Sequence, residues 1–220
     1  MKQIQIKKTA LGDDHFGSTE TPLRPDAFML SDEEKVEKIT HHFSKIMETL
    51  GLDLTDDSLS GTPRRVANMY VHEIFSGLKA ENLPEATLFD NKFNYDEMIV
   101  EKNITFYSNC EHHFVPIYGK AHVAYISSGK VIGLSKINRI VQYYAKRPQI
   151  QERLTKQIAE KMKQILKTQD LAVVIDATHL CVSSRGVGDT NSKTGTAHFS
   201  GKFRDEVIKT EFLNYINSPA

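Results

Sequence analysis

The first regular pattern of apolar positions in the sequence begins just after residue 30. Apolar residues there recur three or four positions apart, as on one face of a helix, at Val36, Ile39, Phe43, Ile46, Met47 and Leu50. Ser31 and the glutamate three residues later form a capping-box pair, and Gly51 is typical of a helix end. A second helix is predicted from Thr62 as its cap, with Pro63 in the first turn and Gly77 at its end.

From about residue 97 the apolar pattern becomes typical of strands. Alternating, β-branched and aromatic residues predict strands in MIVEKNITFY, VPIYGKAHVAYI, VIGL and LAVVIDATHLCV, with another near 196–203. Helical spacing predicts helices in SKINRIVQYYAK, capped by Ser135, in IQERLTKQIAEKMKQIL and from about residue 205. This order indicates an α+β fold, an antiparallel sheet with its helices on one face. We expect a loosely ordered arm (1–30), a helical region (31–95) and the sheet domain (96–220).

The composition argues against some classes of partner. Lysine plus arginine and aspartate plus glutamate number 28 each, so the net charge gives no general attraction to nucleic acid or to a membrane surface. Any anion site must therefore be a local cluster. No apolar run is long enough for a signal peptide or a membrane span, so we expect a cytoplasmic protein. In a reducing cytoplasm, the two cysteines are better explained as metal ligands than as a disulfide.

Residue types that bind metals are concentrated in the segment NCEHHF. Cys110 and His113 lie three positions apart, so one turn can direct a thiolate and an imidazole at a shared centre. In the predicted strand THLCV, the side chains of His179 and Cys181 should point the same way. Cys110, His113 and Cys181 would give two thiolates and one imidazole, a set that suits zinc. Three ligands leave a position for water, whose pKa zinc lowers to roughly 7.

Two further histidines, His112 and His179, would lie beside this metal. We favour proton transfer as their role, because histidine titrates near neutral pH. The alternative is that one of them is the fourth ligand of a closed structural site. Glu111 is expected either to orient a neighbouring side chain or to form a salt bridge.

A local cluster of cations is predicted around the start of the helix SKINRIVQYYAK. Ser135 and Lys136 lie at the helix N-terminus, Arg139 follows one turn later on roughly the same face, and Arg185 follows the metal segment closely. Backbone N–H groups, the helix dipole and cations together can bind an anion. The alternative is an ordinary solvated helix face, which we would prefer without a metal site nearby.

The following helix begins with two polar residues, Gln151 and Glu152. A carboxylate in a first turn is often only a partner of the helix dipole. It can also accept paired hydrogen bonds from the edge of a guanine base, where a ring N–H lies beside an exocyclic amine. The residues alone leave both roles open.

Four segments together resemble the family of GTP cyclohydrolase I, the zinc enzyme that begins pteridine synthesis. They are TPRRVANMY, CEHHFVPIYGKAHVAY, GLSKINRIVQYYAKRPQIQERL and THLCVSSRG, and the resemblance extends from about residue 31 to the end. It implies conversion of GTP and water to 7,8-dihydroneopterin triphosphate and formate, the first step of pteridine and tetrahydrofolate synthesis. It also implies the tunnelling fold and a toroidal homodecamer with active sites at subunit boundaries.

The resemblance assigns a role to each candidate residue. These roles are zinc ligation by Cys110, His113 and Cys181, catalysis by His112, His179 and Ser135, guanine binding by Gln151 and Glu152, and triphosphate binding by Lys136, Arg139 and Arg185. Two alternative functions fit these residues less well. An enzyme of the same fold acting on a pterin or a related heterocycle is disfavoured by the Cys/His/Cys set, and a non-enzymatic zinc-stabilised assembly protein would not need the spare histidines and the anion site.

Overall fold

The first part of the described chain is helical. The structure is a computed structural model and describes residues 18–218. Its first helices, in chain order, are α1 (Asp32–Thr49), α2 (Asp57–Ser60), α3 (Thr62–Asn68), a π-helical turn (Met69–Ile74) and two 3-10 turns (Ser76–Leu78 and Ala80–Asn82). The predicted start of α1 is confirmed, because Ser31 and Glu34 form both hydrogen bonds of the capping box. α1 packs against α3 through Val36 and Ala67.

Within residues 18–218, seven strands form two sheets. In chain order they are β1 (Leu88–Asp90), β2 (Met98–Cys110), β3 (Pro116–Ile126), β4 (Lys130–Ile132), β5 (Pro148–Gln149), β6 (Leu171–His179) and β7 (Thr194–Ser200). The main sheet has the order β5-β2-β3-β6-β7 and is antiparallel except for the short parallel pair of β2 with β5. β1 and β4 form a separate antiparallel pair, so strand pairing begins before residue 96.

Helices cover both faces of the main sheet. They are α4 (Leu134–Ala145), α5 (Gln151–Leu166), α6 (Leu180–Ser183), a 3-10 turn (Gly201–Arg204) and α7 (Glu206–Asn217). α4 and α5 share a core cluster with Val123, whereas Ala124 belongs to a second cluster with Phe212 of α7. Neighbouring strand residues face opposite sides, so α7 lies on the face opposite α4 and α5. The α+β class is confirmed, and the expectation of helices on one face only is wrong, because the strands are apolar on both faces.

Two predicted helix caps are wrong by one or two residues. The N-cap of α3 is Gly61 rather than Thr62, and the N-cap of α4 is Gly133 rather than Ser135. Glycine is acceptable at this position because it adopts the required backbone conformation at little steric cost. Both hydroxyl residues therefore lie inside the first turn of their helices. Within residues 18–218, no helix combines the length and the apolar character that crossing a membrane requires.

Gly77, predicted as a helix end, is the point where the helical region meets α4. A Cβ at this position would lie 2.0 Å from the carbonyl oxygen of Tyr143, so only glycine fits without a shift. The Gly77 N–H donates to the carbonyl of Lys146 at 2.9 Å, and Arg147 Nε donates to the Gly77 carbonyl at 2.7 Å. The position is therefore required for close approach of two backbones.

The predicted loose arm (1–30) falls partly outside the described residues. In its described part, the carbonyl of Ser18 accepts a hydrogen bond from Arg153 Nε at 2.7 Å, and Glu20 accepts one from Gln157 Nε2 at 2.8 Å. Both donors belong to α5. Ser18 and Glu20 of the arm are thus attached to the helix that begins beside the predicted metal segment.

Candidate functional site

The end of β2 and the turn after it bring two of the candidate metal ligands together. The Phe114 N–H donates to the carbonyl of Cys110 at 2.8 Å, and the Cys110 N–H donates to that of Val115 at 2.9 Å. These bonds close a tight turn in which Phe114 takes a left-handed backbone conformation (φ 53°). His113 Nδ1 consequently lies 3.9 Å from Cys110 Sγ, the same distance as His112 Nδ1.

Cys181 joins this pair by a route that the strand pattern did not predict. β6 ends at His179, and Cys181 lies in the single-turn helix α6 rather than on a strand. The hydroxyl of Ser183 donates to the carbonyl of His179, which supports this turn. The potential ligand atoms of Cys110, His113 and Cys181 all lie within 4.8 Å of one another. The prediction of a strand through Cys181 is wrong, yet the three residues meet.

The chemistry of this group fits a metal ion. The two cysteines are not bridged, and Cys110 is buried while Cys181 is partly buried. Burial, followed by the nearby Cys110, raises the pKa of the Cys181 thiol. A cation between the sulfurs would reverse both effects by stabilising the thiolates. Two soft sulfur donors and one imidazole suit zinc among the common biological metals.

His179 and the first residues of α5 lie beside the metal group. His179 Nε2 and Gln151 Oε1 are 2.7 Å apart. Burial lowers the pKa of His179, and the carboxylate of Glu152 partly opposes this effect. Gln151 is buried and Glu152 is exposed. The structure thus brings these three predicted site residues to the same end of the sheet as the cysteines.

Arg153 is a residue of this region that the sequence reasoning missed. Its guanidinium donates to both carboxylate oxygens of Glu111, at 2.5 and 3.3 Å, and Glu111 also lies 3.8 Å from His112 Nε2. The Arg153 side chain is 2% exposed and that of Glu111 is 16% exposed. Of the two roles expected for Glu111, the salt bridge is confirmed. The overlooked signal was a cation in the first turn of α5, where the helix dipole disfavours positive charge and an acidic partner is needed.

The start of α4 lies far from the metal group within the same chain. Asn138 Nδ2 donates to the Glu101 carboxylate at 2.9 Å, which places this turn, with Ser135 and Lys136, beside the beginning of β2. Cys110 is at the other end of that strand. At about 3.3 Å per residue, Glu101 and Cys110 are roughly 25–30 Å apart. One chain alone does not place Ser135 and Lys136 in a pocket with the metal group.

The two arginines predicted to bind the triphosphate, Arg139 and Arg185, lie in different parts of the fold. Arg185 Nη1 lies 3.5 Å from the carbonyl of Cys181, so this exposed cation is next to the metal group. Arg139 lines a cleft of about 530 Å³ together with His72 and Lys146, between α4 and the helical region. Of the four predicted triphosphate and sugar residues, only Arg185 is therefore near the metal group of its own chain.

A separate apolar cavity of about 420 Å³ lies under α1. Its walls include Phe43, Tyr70, Phe75 and Phe114, and the rings of Phe75 and Phe114 are 5.1 Å apart. Such a lining does not suit a triphosphate, which requires a cluster of donors and cations. We therefore assign the polar region around His179 as the candidate site.

Comparison with known proteins identifies the family of this chain. The family model of GTP cyclohydrolase I matches residues 39–217. A Flavobacterium johnsoniae protein named GTP cyclohydrolase 1 is 61% identical over 207 residues, which are 94% of this chain and 93% of that protein. Proteins of the same name from Vibrio parahaemolyticus and a Shewanella species are 56% and 50% identical over 196 residues, 89% of this chain and 89% and 91% of those proteins. With matches of this extent and identity, the chain belongs to the GTP cyclohydrolase I family.

Proposed function

We propose that this protein is a zinc-dependent enzyme that opens the imidazole ring of GTP at C8 and yields 7,8-dihydroneopterin triphosphate and formate. The observation that carries the proposal is the Cys/His/Cys group within 4.8 Å, adjacent to His179 and the first turn of α5. The family supplies the reaction, the first step of pteridine and tetrahydrofolate synthesis. A cytoplasmic location suits it, because the two ligand thiols must stay reduced.

Cys110, His113 and Cys181 would hold the zinc, about one ion per chain. Zinc in such a site supplies a Lewis acid that makes a water molecule more acidic and polarises an electrophile. His112 and His179 would move protons, His112 at the imidazole ring of the base and His179 in the opening of the ribose. The exposed carboxylate of Glu152 would accept the two adjacent N–H groups of the guanine edge.

We further propose that each pocket is completed by a neighbouring chain in a homodecamer of the tunnelling fold. Ser135, Lys136 and Arg139 would come from that neighbour, Ser135 for the later rearrangement of the sugar and the two cations for the triphosphate. Arg185 would add a cation from the metal-bearing chain. The support is the distance of roughly 25–30 Å between the start of α4 and Cys110 along one strand. In this proposal the sheet domain (96–220) carries the catalytic groups.

A mixing experiment tests the shared pocket. Cys110→Ala protein, which we expect to be inactive, is mixed with Lys136→Ala protein, which we expect to bind GTP weakly, under conditions that allow subunits to exchange. At a GTP concentration too low for Lys136→Ala alone, activity should appear in pockets that receive both intact halves. The matched control mixes Cys110→Ala with Glu152→Ala. Cys110 and Glu152 lie at the same end of the sheet in one chain, so no hybrid pocket has both intact. Full activity of a separated monomer would contradict the proposal.

The reaction itself is tested by incubating the protein with GTP. Formate should be released, and oxidation of the product should give a fluorescent pterin. A pterin enzyme of the same fold would release no formate from GTP, and an assembly protein would bind zinc without consuming GTP. Removal of zinc with a chelator should abolish turnover and its return should restore it. Full turnover by a zinc-free preparation would refute the zinc-dependent mechanism.

A further inference from the structure

The side-chain amide of Gln151 is fully occupied inside the protein. Gln151 is 3% exposed. Its Nε2 lies 3.0 Å from the carbonyl of Ile175, 2.8 Å from that of Thr194 and 3.1 Å from the hydroxyl of Thr196. Its Oε1 lies 2.7 Å from His179 Nε2. The amide N–H groups of Gln151 thus have acceptors on β6 and β7. Its carbonyl oxygen has His179, at the end of β6, as a partner.

These contacts fix the orientation of the amide and the tautomer of His179. The carbonyls of Ile175 and Thr194 can only accept, so the amide nitrogen of Gln151 must face them. The amide oxygen then faces His179 Nε2, which must carry a hydrogen to donate. In the neutral ring, Nδ1 is left as the nitrogen with the lone pair.

We propose that Gln151 is a positioning residue for His179 and that its side chain does not bind guanine. This inference rests on the proposed function, in which His179 transfers a proton. Gln151 connects the imidazole to two strands of the sheet, which fixes the plane of the ring and holds Nε2 toward the amide oxygen. Recognition of the base then falls to the exposed carboxylate of Glu152 alone.

The two roles of Gln151 predict different losses in kinetics. A guanine-binding amide contributes to the affinity for GTP, and its removal should raise the Kd for GTP by about tenfold or more. A positioning amide affects the proton transfer, because a misplaced catalytic group costs up to about 100-fold in rate. Comparing the change in kcat with the change in the Kd for GTP therefore separates the two roles of Gln151.

The experiment is a double-mutant cycle on the zinc-loaded, assembled protein with Gln151→Met and His179→Asn. We expect Gln151→Met to lower kcat about 10–100-fold while the Kd for GTP stays close to that of the unsubstituted protein. In the His179→Asn background, the same change should cause no further loss of kcat. In Gln151→Glu, the buried carboxyl group can stay protonated, donate to one of the two carbonyls and still accept from His179 Nε2. This variant should therefore lose less kcat than Gln151→Met.

Gln149 provides a matched control two positions away. It is also buried, and its Nε2 donates to the carbonyl of Tyr144 and to the side chain of Gln157 rather than to a partner of His179. Gln149→Met should therefore keep kcat within a few-fold of the unsubstituted protein. Zinc content and assembly are measured for every variant, and Gln151→Glu decides the question if Gln151→Met does not assemble.

A tenfold or larger rise in the GTP Kd for Gln151→Met, present also in the His179→Asn background, would overturn the inference. Equal losses of kcat for Gln149→Met and Gln151→Met would overturn it as well, because they would indicate a general structural effect. Failure of the proposed function looks different: the unsubstituted, zinc-loaded protein would release no formate from GTP, and the inference would fall with it.

Discussion

Arg153→Met should destabilise the turn that carries the proposed metal ligands Cys110 and His113. The substitution leaves the Glu111 carboxylate, 16% exposed, without the guanidinium that binds both of its oxygens. Removal of one partner of a buried ion pair typically costs about 3–5 kcal/mol. Because Glu111 is partly exposed, we expect the lower end, about 3 kcal/mol. For a chain of this size, 1 kcal/mol shifts Tm by about 2–4 °C, so the expected decrease is about 6–12 °C.

The chain contains a matched control for this prediction. Lys130 and Asp90 form an ion pair whose side chains are 52% and 64% exposed. An exposed pair contributes about 0–1 kcal/mol, so Lys130→Met should lower Tm by about 4 °C at most. The double variant Arg153→Met/Glu111→Leu removes both buried charges and should be more stable than Arg153→Met alone.

The assay is thermal unfolding of all variants at equal protein and zinc concentrations, because bound metal and partner subunits raise the apparent stability. Zinc content is measured on the same samples. Since Glu111 lies between Cys110 and His113, Arg153→Met should also lose zinc to a chelator faster than Lys130→Met. A Tm decrease for Arg153→Met no larger than that for Lys130→Met would refute the reasoning.

Three further predictions follow from the site and its charges. His113→Ser should lose zinc and turnover together, whereas His112→Ser should keep zinc and lose about 10²–10⁴-fold in formate release; the reverse pattern of zinc contents would exchange their roles. Lys136→Ala should weaken binding of GTP by about 1.5–3 kcal/mol and binding of guanosine hardly at all, since guanosine lacks the triphosphate; equal losses in a titration of both ligands would contradict the assignment. The hydrogen bond from Lys79 lowers the pKa of Asp32 in the folded protein. The stability that this contact contributes is therefore complete above the unfolded pKa of about 4 and is lost as the pH falls toward the lower folded pKa. Asp32→Asn should reduce the loss of unfolding free energy in this acid range.

The sequence predicts which residues form the candidate metal group better than it predicts the backbone path that brings them together. The spacing of Cys110 and His113 indicated a shared turn, and the structure has one. Cys181 was expected on a strand and lies on a helical turn, because β6 ends two residues earlier. Backbone geometry at a strand end depends on local hydrogen bonds, here that of Ser183 to His179, which periodicity does not reveal. The chemistry of the residue types was therefore the more reliable guide.

Contacts between distant segments were not accessible from the sequence. Arg153 and Glu111 are 42 residues apart, and each alone looks like an ordinary surface charge. Gln151 looked like a possible ligand of guanine because it begins a helix beside Glu152. Its partners on β6 and β7 appear only once the sheet is assembled. They are the reason for proposing that the side chain positions His179 instead. For a buried polar residue such as Gln151, the contacts in the folded chain indicate the role better than the residue type does.

The position of Lys136 shows why residue chemistry alone does not define the pocket. Its charge and its place in a helix N-terminus suit a triphosphate, yet in its own chain it lies at the opposite end of β2 from Cys110. If the pocket is shared, every chain contributes its metal end to one pocket and the start of α4 to another. A substitution at Cys110 and one at Lys136 in the same chain would then damage two different pockets. Because an isolated chain would hold zinc without a triphosphate-binding partner, catalysis and assembly should be lost together on dilution.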